Sequence, residues 1–470
     1  MSPAARRTIY LPCISDHSYT VAAAMRAVGL RAEVLPPPDQ ETMAIGLSLC
    51  RGRECLPCFL CAGDFVRKCR TPGFDPRAAV FFMPTGPGPC RFGQYRVLLE
   101  GILEDQGMGG VELVSPTTDD SYGLFGDDAL KLRKLCWQAI VAVDLLTKAL
   151  HEHRPYEVVA GRSDEVYRAG LDDVVRALEE GGGRAVRRAL IRAAGRFAAI
   201  ETEGRGSRPA VGLVGELYLT LNRACNLEIA KALERSGAEV VQGTFSDWLH
   251  FVDWRRRRDA LLFRRPRDLV KALANDAYQR FVERRFGRAF AGALRRAQEA
   301  PVPRAMVGLR RFWEPALGTE ATLTMGRVLD LGRHGLSGIV NVLPFSCMPG
   351  NVVVCLGPRL RQELNGIPWL DVAFDGQKET NLRTRLEAFM HQAEQYQRRG
   401  LAGRDAASRP GPRLWSRLAW RVTVAFAAVL FTGVSAAGAC SCPLCADTAP
   451  DATAMPGARL EAAATALAAR

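Results

Sequence analysis

Short apolar runs, each followed by a loop and a helix-patterned segment, recur along the first 400 residues, and this rhythm constrains the fold more than any other feature. "TIYLP" (8–12) precedes an amphipathic pattern over 16–28, and "RAEVLP" (31–36) precedes a cysteine-rich stretch whose second half, to about 68, fits a helix. "AAVFFMP" (78–84) leads through a Gly/Pro loop into a helical pattern over 90–105, "VELVSP" (111–116) follows, and 127–203 reads as almost wholly helical. Repeated strand, loop and helix indicate parallel strands joined by crossover helices, a doubly wound sheet.

The polar, Gly-rich "ETEGRGSRP" (201–209) marks a boundary. The rhythm restarts after it with "AVGLVG" (210–215), a helix over 222–236, "AEVVQG" (238–243) and a long arginine-rich helical region. "SGIVNVLPF" (337–345), "NVVVCLGP" (351–358) and "PWLDVAFDG" (368–376) read as strands, with a last helix over 381–399. The expectation is an α/β chain of two doubly wound domains, 1–205 and 206–400, with extra helices and carboxyl edges facing a shared cleft. Residues 401–470 form a linker, an apolar segment and a low-complexity tail. A chain of 470 residues suits two or three domains.

The formal net charge is +13, carried mostly by arginine. Ala/Arg/Gly/Pro-rich composition accounts for much of it, and affinity for polyanions is the second reading. Nucleic acid is not expected, because the arginines are dispersed and poorly interleaved with aromatics. The densest basic stretch, "WRRRRDALLFRRPR" (254–267), reads first as a solvated helix face and second as a docking surface for coenzyme A phosphates or an acidic partner. The N-terminus runs into a strand pattern without an apolar signal region, so the first 400 residues are expected in the cytoplasm. Structural disulfides are rare there, and the 14 cysteines read better as metal ligands or small buried apolar residues. Residues 422–440 carry no charge and sit at the lower limit for a membrane span, with arginines, Trp415 and Trp420 on their N-terminal side. Membrane contact through this segment is one expectation; a loosely docked or disordered helix is the other.

Open α/β sheets bind ligands outside the carboxyl ends of their strands. Cys13, the run Cys50 to Cys61, Cys90 and Cys347 all follow strand-like segments, whereas Cys136 and Cys225 fall in helical patterns and Cys355 in an expected strand, as core residues. Two facing sheet edges could pool Cys55, Cys90 and Cys347, and soft thiolates suit an iron–sulfur cluster or zinc. Cys55, Cys58 and Cys61 have ferredoxin-like spacing, but the expected fourth cysteine followed by proline is missing. Cys58 and Cys61 could equally be core residues or ligands. Glu216, at the carboxyl end of an expected strand, is a candidate acid or base, with helix capping or a salt bridge as the plain alternative.

At "YLPCISDHSY", "GRECLPCFLCAGD", "FFMPTGPGPCRFGQYR", "GLVGELYLTLNRACN", "VLPFSCMPGN" and "PWLDVAFDGQKETNLRTRLEAF" the chain resembles the 2-hydroxyacyl-CoA dehydratase/benzoyl-CoA reductase family, in an activase-related branch. The resemblance spans about 8–395 and leaves out the tail. It implies two Rossmann-like domains and a [4Fe–4S] cluster held by three cysteines, matched here by Cys55, Cys90 and Cys347. Cys58 and Cys61 depart from the pattern; Cys58 is a further candidate ligand. The resemblance also implies a separate ATP-hydrolysing activator that supplies low-potential electrons, and an acyl-CoA or other small substrate. The alternative is a non-catalytic, electron-carrying scaffold or activator partner.

Overall fold

The structure is a computed structural model that describes residues 7–52, 54–86, 88–116, 123–295, 297–376 and 381–400. The tail expected over 401–470, with its apolar segment, lies outside the described residues.

The chain begins with β1 (Thr8–Leu11), α1 (His17–Arg26), β2 (Arg31–Val34), α2 (Gln40–Leu49), α3 (Leu56–Cys69), β3 (Ala79–Phe82), α4 (Tyr95–Asp105) and β4 (Glu112–Val114). Three helices follow, α5 (Ala129–His153), α6 (Arg162–Glu179) and α7 (Arg184–Ala198). Then come β5 (Ala210–Gly215), α8 (Leu217–Leu221), α9 (Ile229–Arg235), β6 (Glu239–Gln242), α10 (Phe245–Leu262), α11 (Pro266–Gly287) and α12 (Val302–Leu309). The last elements are α13 (Glu320–Arg333), β7 (Gly338–Pro344), α14 (Met348–Glu363), β8 (Trp369–Phe374) and α15 (Leu382–Arg398).

Two four-stranded sheets result, ordered β2-β1-β3-β4 and β6-β5-β7-β8, and every pairing is parallel. The fold is thus α/β with two Rossmann-like sheets, as the sequence rhythm implies. Every residue of β7 is buried, as expected of a central strand covered by helices on both faces. One apolar cluster runs through both halves: Phe65 and Phe81 join Leu213, Val342 and Phe374. The expected 205/206 division falls in the connection between α7 and β5.

Two local expectations are corrected. Residues 351–358 are not a strand but lie within α14. The β-branched run "NVVV" suggested a strand, yet Val353, Gly357 and Leu360 are buried at helical spacing, so packing overrides propensity. The helix expected over 222–236 is broken: Leu227 and Glu228 adopt left-handed backbone angles, and α9 starts only at Ile229.

Helices α2 and α3 touch backbone to backbone. A Cβ on Gly46 would stand 2.0 Å from the Phe59 carbonyl oxygen, and one on Gly63 would stand 2.0 Å from that of Thr42. This crossing fixes where α3, and with it Cys55, begins. Asp144 of α5 makes a second fixed point. Its buried carboxylate faces His17 Nε2 at 3.0 Å and accepts from the backbone N–H groups of Phe245 (3.2 Å) and Ser246 (2.9 Å). It therefore caps α10 while holding α1.

No helix among the described residues is long and apolar enough to cross a membrane.

Two substitutions test these anchors. Asp144→Ala leaves two first-turn N–H groups of α10 and a buried histidine without their acceptor, and is expected to cost about 3 kcal/mol or more in urea denaturation. Gly63→Ala is expected to cost a similar amount, about 3 kcal/mol, because neither backbone can move aside without opening the helix pair.

Candidate functional site

In a parallel sheet every strand hands the chain to a helix at the same edge, so helix starts collect there. Cys55 is the N-cap of α3, Cys90 the N-cap of a single 3₁₀ turn (Arg91–Gln94) that leads into α4, and Cys347 the N-cap of α14. All three have extended backbone angles. Pro57 and Pro349 stand at the second helical positions of α3 and α14, where a missing N–H costs nothing. Before Cys347 the chain turns through Ser346 at φ 57°, a left-handed angle that non-glycine residues seldom take. Cys55 and Cys347 are buried and Cys90 is half-buried.

Each of these thiols feels its neighbours. Burial pushes Cys90 up to about 12; the Phe92 N–H opposes the rise, while Glu320, Glu216 and Cys55 add to it. Burial also raises Cys347, against the Gly350 N–H, and Glu216, Glu320 and Cys90 raise it further. The Gly350 N–H reaches the Cys347 sulfur at 3.4 Å. Cys55 is raised mainly by burial; its hydrogen bond with the Tyr95 hydroxyl pulls the other way, Glu216 adds to the rise, and the Cys58 N–H and Arg91 oppose it. The structure thus brings Cys90 within electrostatic reach of both Cys55 and Cys347, with two carboxyl groups among them. As the side chains stand, no group of three His, Cys, Asp or Glu residues among those described is close enough to enclose a metal ion.

Glu216 is the N-cap of α8, and its carboxylate accepts from the N–H groups of Tyr218 (3.1 Å) and Leu219 (2.9 Å). Burial nevertheless raises it to about 7. Glu320, at the start of α13, accepts from the Leu217 N–H at 2.7 Å and is held well above the usual carboxylate range by burial and by Glu216. Two carboxyls that repel each other in a dry setting hold protons that exposed carboxyls would lose. Sequence reasoning missed Glu320. Its only local signal, a Gly-Thr-Glu helix start, says nothing about its facing Glu216.

The remaining cysteines divide. Cys58, a candidate ligand, is buried in the first turn of α3 and hydrogen-bonded to Cys50, which, with burial and nearby thiols, raises it. Cys61 is buried too and electrostatically close to Asp64, Cys225 and Cys55. Cys13 follows β1 and donates to the Tyr19 hydroxyl at 3.7 Å. Cys136 lies in α5, packed against the core, while Cys225 packs against the core from the segment between α8 and α9. Cys355, expected as a core residue of a strand, is instead exposed on α14. Its position on that helix points away from the buried Val353, Gly357 and Leu360.

Compared with known proteins, the chain matches no family model, and a search of curated proteins returns no match.

Asp64, on α3 beside these thiols, gives the pH test. Burial raises it from 3.8 to about 7; the Thr42 hydroxyl, donating at 3.0 Å, and Arg67 offset only part of this, and Asp39 adds to the rise. The folded chain therefore binds a proton that the unfolded chain releases near pH 4. This contribution to stability is fully present below pH 4 and is lost as pH rises through 7. Asp64→Asn is expected to stabilise the fold by about 2–4 kcal/mol at pH 8 and hardly at all at pH 4, read from thermal or urea unfolding at both pH values.

Proposed function

We propose that this chain is an iron–sulfur protein akin to components of the 2-hydroxyacyl-CoA dehydratase family. In this reading Cys55, Cys90 and Cys347 hold a [4Fe–4S] cluster, and a separate ATP-hydrolysing partner supplies low-potential electrons for an acyl-CoA or other small substrate. The observation that carries the proposal is the common position of the three thiols. They are far apart in sequence, each stands at the N-cap of a helical segment, Cys90 and Cys347 directly after a parallel strand and Cys55 after α2, and they are linked through mutual charge effects around Glu216 and Glu320.

The donor set fits such a group. Three soft thiols from separate elements match the ligand chemistry, and three leave one iron free for water or substrate. The cluster would supply a one-electron centre with a Lewis-acidic iron. The chain's own residues do the rest. The thiols are protonated at neutral pH, so ligation must release protons, and the first-turn N–H groups of Cys58, Phe92 and Gly350 favour the thiolates that remain. The Tyr95 hydroxyl orients the Cys55 sulfur. Glu216, raised to about 7 by burial, can hold or release a proton close to the site, and its charge in turn helps to hold Glu320 well above the usual carboxylate range. A buried acid pair of this kind favours substrate chemistry over the electron-carrying scaffold.

Anaerobic reconstitution with iron and sulfide, followed by metal and sulfide counts and electron paramagnetic resonance of the reduced protein, tests the proposal. About four irons and four sulfides per chain are expected. Cys55→Ser, Cys90→Ser and Cys347→Ser should each lose most of the cluster, whereas Cys355→Ser should load like the parent. Loading should weaken as pH falls, since protons compete for the thiolates. A parent protein that takes up no iron, or three single variants that load normally, would overturn the assignment.

A further inference from the structure

The hairpin of α10 and α11 ends in a tip that the core does not use. Between Leu261 and Tyr278 no residue is buried. At the apex Leu261, Leu262 and Phe263 are 63%, 64% and 62% exposed, three consecutive large apolar side chains held in water. The turn that presents them is well defined. The Arg265 N–H bonds back to the Ala260 carbonyl at 2.8 Å and the Arg264 N–H to that of Leu261 at 3.3 Å. Arg264 takes the left-handed angle (φ 52°) that glycine usually supplies in such a C-terminal cap, and Pro266 opens α11 directly afterwards.

The apex is ringed by positive charge. Lower on the hairpin, Arg257 and Arg280 both pair with Asp276 at 2.9 Å. Nearer the tip, Arg258, Arg264, Arg267 and Lys271 have no acidic partner among the described residues, and Arg265 lies over the Phe263 ring at 5.6 Å. Only Asp259 and Asp268 are acidic between residues 258 and 271.

We propose that this tip docks on an anionic lipid bilayer, with Leu261, Leu262 and Phe263 entering the headgroup–acyl boundary and the surrounding arginines and Lys271 meeting lipid phosphates and carboxylates. A convex apolar wedge with a cationic collar matches what a bilayer interface offers, apolar depth beneath a layer of negative charge. A nucleic-acid backbone or an acidic polypeptide would satisfy the collar but leave the wedge in water. The surface lies on a different part of the chain from Cys55, Cys90 and Cys347 and does not depend on what they bind.

Cosedimentation of the full chain with vesicles tests this. Vesicles containing roughly a third phosphatidylserine are expected to bind the parent at least about tenfold more tightly than pure phosphatidylcholine vesicles. The double variants Leu262→Ser with Phe263→Ser, and Arg264→Ser with Arg267→Ser, should each lose roughly tenfold in affinity while keeping the parental melting curve, because no core contact is touched. Phe263→Trp should add emission that shifts to the blue on anionic vesicles and is quenched by brominated lipid. Equal binding to both vesicle types, variants that bind like the parent, an unquenched tryptophan at 263, or binding to polyglutamate or DNA without vesicle binding would each overturn the proposal.

Discussion

Parallel strand pairing governs this molecule. A parallel strand cannot be reached by a tight turn, so each one must pass the chain through a crossover that starts at the same edge of the sheet. In both sheets that edge therefore gathers helix N-termini with their unpaired N–H groups. The residues that occupy those starts, Cys55, Cys90, Glu216 and Cys347, are the ones with chemical potential. Topology sets Cys55 and Cys90 at helix starts of the first sheet, and Glu216 and Cys347 at helix starts of the second, without any local motif.

Much of this was legible from order along the chain. Eight of the nine strand-like runs correspond to strands because buried parallel strands need unbroken apolar stretches, which are visible in sequence. Cys90 and Cys347 could be singled out because each follows such a run directly. What escaped was set by tertiary contact. The α14 segment carries β-branched residues that suit a strand, and only burial of one helical face decides otherwise. Helix α2 was not anticipated, although Asp39 caps it by accepting from the Thr42 N–H, because a proline run hid its start. Glu320 reaches Glu216 from a helix more than a hundred residues away, and no periodicity encodes that meeting.

Charge is distributed in two opposite ways. The chain as a whole is strongly basic, yet the groups around the three cysteines are mainly thiols and carboxyls, with Arg91 as a modest counterweight. Elsewhere buried acids are matched with bases: Asp247 with Arg327, and Glu234 with Arg154 and His151. An acid pair left without such a match, like Asp64 close by, separates this edge from the structural ion pairs.

Helix α14 also carries a means of timing its own motion. Cys347 is buried at its first turn with its sulfur held by the Gly350 N–H, while Cys355, two turns further on, is exposed. A thiol reagent meets Cys355 at every collision but reaches Cys347 only while the helix start is unwound. The ratio of the two labelling rates is thus a clock built into a single helix, and it counts how often the sheet edge opens without any residue having to be introduced.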